Sequence, residues 1–164
     1  MVEHNDFSFK LAQKDIKKLK KKAEDDAYIN PELAEEAKQA GAKCFKDGDF
    51  AGAIENFTEA IRRDPNSPAL YSNRCFAYTK VMDLGNALKD AEKGLELDPS
   101  FVKLYVRKGN VHNLAKAYHK ALETYDAGLK LEPENQALKE AKMRTMSYIS
   151  MGASGGGADD QARM

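Results

Sequence analysis

Four polar side chains have the types and the spacing of an anion-binding site: Lys38, Asn73, Lys103 and Arg107. Lys103 and Arg107 are four residues apart and share one face of a helix, while Asn73 precedes Arg107 by 34 residues, the repeat length derived below. On stacked helices the four would form a cationic cradle for carboxylates, because lysine offers a point charge, arginine a planar fork and asparagine a neutral donor. They could equally be solvated side chains, since exposed lysines need no ligand.

A period of 34 residues determines how the chain positions these side chains. Pro65, Pro99 and Pro133 are separated by that interval, and an acidic residue precedes each of them. Columns of small, aliphatic or aromatic residues keep the same phase: Ala53, Ala87 and Ala121; Phe57, Ala91 and Tyr125; Ala60, Gly94 and Gly128; Phe50, Leu84 and Tyr118. Small residues recur where two helices must approach closely, and large ones where a gap must be filled. The period therefore predicts a stack of one structural unit.

The repeat resembles the tetratricopeptide repeat, a helix-turn-helix unit of this length. The resemblance implies an all-α fold of three such repeats and a C-terminal capping helix in a right-handed superhelical solenoid, with an extra basic helix at the N-terminus. Composition agrees, because good helix formers are abundant and the alternating β-branched runs typical of strands are missing. The predicted helices of the repeats and cap span 31–46, 50–63, 67–80, 84–97, 101–114, 118–131 and about 135–150.

Changes in composition predict three parts of the chain. Residues 1–26 form a basic amphipathic helix or linker, with an apolar stripe at Phe9, Ala12, Ile16, Leu19 and Ala23 and lysines elsewhere. Such a helix can bind nucleic acid or anionic lipid, but the stripe favours a packed helix whose lysines are solvated. The repeat domain is predicted at 27–151, with repeats at 34–67, 68–101 and 102–135. Residues 152–164 form a glycine-rich tail, flexible by composition.

Charge and hydropathy narrow the classes of partner. The 26 basic and 26 acidic residues give a net charge of +0, so no overall field recruits nucleic acid or a membrane surface. No apolar run reaches membrane-spanning length and no signal peptide is visible, which predicts a cytoplasmic protein without nucleic-acid or membrane partners.

Catalysis, metal binding and cofactor binding find little support. Cys44 and Cys75 lack the spacing of a metal site and are predicted to be buried, reduced thiols. The tail glycines precede neither a helix nor a Lys-Ser pair, so they do not form a phosphate-binding loop. His112 falls at a packing position of the repeat, and neither His4 nor His119 has an evident nucleophile or metal partner. We therefore expect no enzyme activity, no metal and no cofactor.

The cradle is similar to the two-carboxylate clamp of chaperone-binding tetratricopeptide domains, which hold the free C-terminal Glu-Glu-Val-Asp tail of cytosolic heat-shock chaperones. The clamp's first-helix lysine matches Lys38, its second-helix asparagine matches Asn73, and its third-helix lysine and arginine match Lys103 and Arg107. The family usually has a second asparagine one turn after the first lysine, where this chain has Ala42. One carboxamide donor of the clamp is therefore missing.

The resemblance also implies a second set of groove positions. Lys80 matches a further peptide-contacting lysine, and Phe76 is bulkier than the small residue usual nearby, so it is expected to reshape the pocket for the valine of the tail. Phe45, Lys46, Thr79, Asn110 and Asn113 are predicted to meet peptide residues upstream of that tail.

Residues 27–34 (AYINPELA) and 70–74 (LYSNR) are similar to the last, C-terminal-side tetratricopeptide domain of Hop-like co-chaperones, which link the seventy- and ninety-kilodalton heat-shock chaperones. The resemblance covers about residues 27–150 and implies an adaptor for a chaperone tail, with the seventy-kilodalton class first and the ninety-kilodalton class second. It also implies that residues 8–26 end the final helix of a preceding repeat domain. The alternative is a general repeat scaffold that binds an internal peptide segment or self-associates.

Overall fold

The structure, a computed structural model, describes residues 3–155, with side chains described for residues 6–152. The helices of this part of the chain are α1 (Glu3–Tyr28), α2 (Pro31–Lys46), α3 (Phe50–Arg63), α4 (Pro68–Lys80), α5 (Leu84–Leu97), α6 (Val102–Leu114), α7 (Tyr118–Leu131) and α8 (Gln136–Gly155). Helices α2 to α7 form three successive hairpins, and α8 packs against α6 and α7. The predicted all-α repeat fold is confirmed, and the predicted helix starts at 67, 101 and 135 are each one residue early.

Side-chain caps begin α2, α3 and α5, whereas α4, α6 and α7 begin without a side-chain cap hydrogen bond. The Asn30 side chain accepts hydrogen bonds from the backbone N–H groups of Glu32 and Leu33, both at 3.1 Å, and Pro31 occupies the first turn of α2. Asp49 accepts from the Gly52 N–H at 2.9 Å and Asp83 from the Asn86 N–H at 3.2 Å. These caps satisfy N–H groups that have no partner within the helix.

The turn inside each hairpin uses one residue in the left-handed region. Gly48, Met82 and Lys116 have φ values of 81°, 60° and 58°, and they are one repeat length apart. In the first turn the Asp49 N–H donates to the Cys44 carbonyl at 2.8 Å, the bond that closes a Schellman motif. Only the first repeat uses glycine, the residue that this conformation favours, so the other two turns carry strain.

Close packing within the hairpins explains the small-residue columns. A Cβ atom on Gly41 would lie 2.7 Å from the Phe57 ring, and one on Gly109 would overlap the Tyr125 ring. In the middle repeat the large and small positions are exchanged. Cys75 stands at the glycine position, Ala91 stands at the aromatic position, and the two pack in one cluster. Cys75 is fully buried, which raises the pKa of its thiol to about 12, whereas Cys44 is only half-buried. Burial was therefore predicted correctly for Cys75 but not for Cys44, while both thiols are free.

The two ends of the described chain differ from the expectations. Helix α1 contacts the repeats near its end, where the Tyr28 hydroxyl donates to Glu59 at 2.6 Å and Arg63 donates to the Tyr28 carbonyl at 3.2 Å. Its predicted apolar stripe is exposed within the described structure. Helix α8 continues through Gly152 to Gly155, four residues beyond Met151. Residues 152–155, predicted as flexible, are therefore helical, and the rest of the predicted tail lies outside the described residues.

A membrane-crossing helix would have to be both long and apolar, and none of the described helices meets those conditions.

Candidate functional site

Two adjoining cavities lie against the first helices of the second and third repeats, α4 and α6. The larger has a volume of about 660 Å³ and extends to α8, and the smaller has about 590 Å³. They share Phe76, Arg107 and Asn110, so we treat them as one groove. Four cations line the larger cavity, Lys80, Arg107, Lys116 and Arg144, and its lining within the described chain holds no carboxylate. The larger cavity is therefore suited to an acidic ligand, whereas the smaller one also contains the carboxylates of Asp98 and Glu132 beside Lys103.

The groove contains seven of the twelve residues selected from the sequence: Phe76, Thr79, Lys80, Lys103, Arg107, Asn110 and Asn113. The other five, Lys38, Ala42, Phe45, Lys46 and Asn73, line neither cavity. Phe45 still contacts the wall of the groove, because its ring stacks on the Phe76 ring with centroids 4.7 Å apart. The structure thus brings Lys103 and Arg107 to one cavity and leaves Lys38 and Asn73 half-buried outside it.

Lys38 is engaged on its own helix. Its Nζ lies 2.5 Å from the Glu35 carboxylate, and this hydrogen bond lowers the pKa of Glu35, with a further contribution from Gln39. Both side chains of the ion pair are partly exposed, and pairs of this kind contribute little to stability. Lys38 can therefore exchange Glu35 for another carboxylate at small cost.

Arg107 is a half-buried cation without a carboxylate partner among the described residues. Its Nη1 donates to the backbone carbonyl of Ser72, and its guanidinium lies over the Phe76 ring, 4.7 Å from the centroid. Burial lowers the pKa of Arg107, because it removes water from around the guanidinium. The nitrogen atoms that do not contact Ser72 leave donors for a ligand.

Arg74, on α4, shows the opposite arrangement. It forms a two-pronged ion pair with the buried carboxylate of Asp90, at 2.8 and 2.7 Å, and also donates to Thr58 at 3.1 Å. Arg74 therefore joins α4 to α5 and α3 as a structural residue, whereas Arg107 retains unused binding capacity.

An aromatic cluster supports the cations of the groove. The Phe45 ring stacks on Phe76 and meets the Phe50 ring edge-on, with centroids 5.1 Å apart. The Lys80 ammonium lies 5.2 Å from the Phe76 centroid, and Arg107 lies over the same ring. A cation over an aromatic face is held electrostatically while its charge remains available. Phe76 thus holds two cations in place in addition to filling space.

Sequence reasoning missed the contribution of the capping helix and of the adjacent turn. Arg144 and Tyr148 from α8 line the larger cavity, together with Met82, Leu114, Lys116 and Tyr118. Arg144 and Tyr148 are four residues apart on one helix, and that spacing could have indicated a shared polar face. The prediction that α8 caps the last repeat does not include this polar face.

The chain has several relatives among characterised proteins, although no family model matches it. Stress-induced-phosphoprotein 1 of Caenorhabditis elegans is 47% identical over 79 residues, which are 48% of this chain and 25% of the relative. Hsp70-Hsp90 organizing protein 3 of Arabidopsis thaliana is 41% identical over 93 residues, 57% of this chain and 17% of the relative. The chain thus spans a quarter or less of the length of these relatives.

Solved structures match a larger share of the chain. The TPR2AB domain of yeast Sti1, in its pHSP90 complex, has a TM-score of 0.77 and 36% identity over 81% of this chain and 54% of that one. The TPR2B domain of yeast Sti1, in its pHsp70 complex, has a TM-score of 0.66 and 33% identity over 71% of this chain and 98% of that one. This chain belongs to the tetratricopeptide-repeat domains of the Hop/Sti1 family. These matches confirm the Hop-like family predicted from residues 27–34 and 70–74 and the all-α fold predicted from the repeat.

Proposed function

We propose that this domain is a co-chaperone adaptor module that binds the free C-terminal Glu-Glu-Val-Asp tail of a heat-shock chaperone. A carboxylate clamp of Lys38, Asn73, Lys103 and Arg107 would hold the tail. The observation that carries the proposal is Arg107, a half-buried guanidinium on the groove without a carboxylate partner in the described structure. A buried, uncompensated charge is costly for folding, and a peptide carboxylate would provide the missing counter-ion.

The clamp would act by supplying charge-assisted hydrogen bonds. Arg107 uses Nη1 for the Ser72 carbonyl and keeps Nε and Nη2 for a two-pronged bond to a carboxylate. Lys103 lies one turn earlier on α6, where it adds a point charge to the same cavity. Lys38 and Asn73, on the two preceding repeats, would hold the second carboxylate of the terminal aspartate.

We infer that the seventy-kilodalton class is the first partner and the ninety-kilodalton class the second. This chain covers 98% of the TPR2B domain of yeast Sti1, whose solved complex is with pHsp70. The complex with pHSP90 contains the two-domain TPR2AB unit, of which this chain covers 54%. Because these partners are cytosolic, the proposed location is the cytoplasm.

Calorimetric titration with a Glu-Glu-Val-Asp peptide tests the function. Lys103→Ala or Arg107→Ala should weaken binding by about 1.5–3 kcal/mol, the range for hydrogen bonds to charged groups. Lys89→Ala, at an exposed lysine of α5 outside the groove, is the matched control and should leave the affinity unchanged. Equal affinity in both groove variants would refute the clamp. Equal affinity for a C-terminally amidated peptide would favour the scaffold that binds an internal segment.

We also propose that the repeat domain spans residues 27–151. Helix α1 would then form the end of the final helix of a preceding repeat domain and would not take part in tail binding. Truncation of residues 1–26 retains Tyr28, which holds the contacts with Glu59 and Arg63. The truncated chain should therefore keep cooperative melting, and its affinity for the tail should stay within about twofold of that of the full chain. An ordinary surface substitution has an effect of that size. Salt-sensitive RNA or DNA binding that disappears on truncation would instead assign α1 to nucleic acid.

A further inference from the structure

A chain of side-chain hydrogen bonds connects α8 to the groove. Thr145 of α8 is fully buried, and its hydroxyl lies 2.7 Å from Nδ2 and 3.0 Å from Oδ1 of Asn113. Asn113 Nδ2 also donates to the Tyr125 hydroxyl at 3.1 Å, and that hydroxyl donates to Asn110 Oδ1 at 2.7 Å. The bonds therefore pass from the capping helix through α6 and α7 to a residue that lines both cavities.

The chemistry at Tyr125 determines which way the Asn110 amide points. A phenolic hydroxyl carries one proton, and here it receives a bond from the Asn113 nitrogen. Its own proton must then go to an acceptor, which makes the Asn110 atom 2.7 Å away the carbonyl oxygen. Burial raises the pKa of Tyr125 to about 12, so the hydroxyl keeps this proton at neutral pH.

The inward oxygen leaves the amide nitrogen of Asn110 as a donor on the groove side. This nitrogen donates no hydrogen bond within the described residues. It is also not a buried, unsatisfied atom, so it is accessible to a ligand. Lys80, Arg107, Lys116 and Arg144 surround the same cavity, so a negatively charged acceptor is favoured there.

We propose that Tyr125 is a positioning residue that holds the Asn110 amide with its nitrogen towards the groove, where it donates to a side-chain carboxylate of the bound peptide. Asn113 and Thr145 extend this control to α8, so the capping helix takes part in recognition. The inference rests on the proposed function, and it places a carboxamide donor on the third repeat of a chain that has Ala42 at the usual donor position of the first.

Substitutions at Asn110 test the donor directly. Asn110→Asp keeps an oxygen for the Tyr125 hydroxyl but replaces the donor nitrogen with a charged oxygen. The packing is retained, while the atom on the groove side changes from a donor to an acceptor. With a free-carboxylate peptide that ends in Glu-Glu-Val-Asp, Asn110→Ala should raise Kd about tenfold, and Asn110→Asp should raise it further. Replacing one peptide glutamate with glutamine should reduce the additional loss in Asn110→Asp, and the position that does so identifies the carboxylate.

Tyr125→Phe tests positioning. Once the amide can turn over, only part of the population presents its nitrogen, so Kd should rise by about threefold. The double variant Tyr125→Phe, Asn110→Ala should bind no more weakly than Asn110→Ala alone, because a positioning residue acts through the group it positions. Tyr71→Phe is the matched control: Tyr71 is also buried, with its hydroxyl on the Pro65 carbonyl at 3.2 Å, and its loss should leave Kd unchanged.

Several results would overturn the inference. Wild-type affinity in Asn110→Asp would exclude the donor even if Tyr125→Phe lowers the melting temperature, and additive losses in the double variant would make Tyr125 merely structural. If the wild type binds and Arg107→Ala weakens binding while Asn110→Asp does not, the inference fails and the proposed function stands. If the wild type does not bind the peptide, both are wrong.

Discussion

The guanidinium carbon of Arg107 lies 4.7 Å from the centroid of the Phe76 ring, so the cation of the third repeat rests on an aromatic side chain of the second. The ring and the Ser72 carbonyl orient the guanidinium, but neither carries a negative charge to neutralise it. The protein therefore retains a desolvated charge whose benefit would appear only when an anion binds.

Arg107→Met should separate stability from binding. Methionine retains apolar contact with Phe76 and removes the uncompensated charge, so we expect an unchanged or higher melting temperature together with at least about tenfold weaker binding of the tail peptide. Thermal unfolding and calorimetry measure the two effects.

The control is Arg74→Met, at the arginine that pairs with Asp90. This change leaves the Asp90 carboxylate buried without its partner and should cost about 3–5 kcal/mol of unfolding free energy. If Arg107→Met destabilises the domain as much as Arg74→Met does, Arg107 is a structural residue and not a reserved anion site.

Gly109→Ala should destabilise the third repeat. A Cβ atom at this position would overlap the Tyr125 ring, which is fully buried and has no room to withdraw. Overpacking of this kind costs about 1–3 kcal/mol, and urea unfolding would measure it. Gly85→Ala is the control in α5, where the nearest atom would be 4.0 Å away; it should be neutral or stabilising by about 0.5–1 kcal/mol. Equal effects of the two substitutions would refute this account of the glycine column.

Lys116→Gly should stabilise the turn between α6 and α7. Lys116 has a φ of 58°, where a side chain costs about 1–2 kcal/mol, and glycine loses about 0.5–1 kcal/mol of that gain to backbone entropy. The net gain in unfolding free energy should be about 0.5–1 kcal/mol. Ala115→Gly, at an ordinary φ of −77°, should instead destabilise the domain. A loss of stability in Lys116→Gly would contradict the strain assigned to this turn.

Features repeated along the chain could be predicted, whereas contacts between repeats could not. Caps such as Asn30 and the 34-residue phase are local, so the helix limits followed from the sequence. The stacking of Phe45 on Phe76 joins different repeats and depends on how the hairpins pack. Arg144 lines the groove from α8, a helix that the repeat pattern predicts only as a cap. The helical residues 152–155 could not be predicted from composition, because a glycine-rich segment is ordinarily flexible.

Stability should decrease in alkali because of Cys75 and Tyr125. Burial raises the pKa of both groups to about 12, from ordinary values of 9.0 and 10.0. Each group is neutral when protonated, so the folded state retains its proton more strongly than the unfolded state. The stabilisation is therefore complete below about pH 9 and is lost as the pH rises towards 12, by up to about 1.4 kcal/mol per pH unit for each group. Urea unfolding at pH 8 and pH 11 would show it, and Cys75→Ala should reduce the difference.

Ala42→Asn should strengthen binding of a free C-terminal carboxylate. Ala42 is exposed on α2, one turn after Lys38 and on the same side of the helix, where an amide could reach the carboxylate that Lys38 is proposed to hold. The gain should be about 0.5–1.5 kcal/mol if a water now bridges the gap, and up to about 3 kcal/mol if the gap is dry. Asparagine lowers helix propensity by roughly half a kcal/mol, which affects stability but does not directly enter the peptide affinity.

Ala40→Asn controls for that change of propensity, because Ala40 is also exposed on α2 but lies about 200° around the helix from Lys38. It should leave the affinity unchanged, and an amidated peptide should gain nothing from Ala42→Asn, because the new donor requires the terminal carboxylate. If Ala42→Asn weakens binding of the free tail, the terminal carboxylate lies elsewhere. The clamp would then have to be reassigned to the cations around Asn110, where the described structure already places Lys80, Arg107 and Arg144 on one cavity.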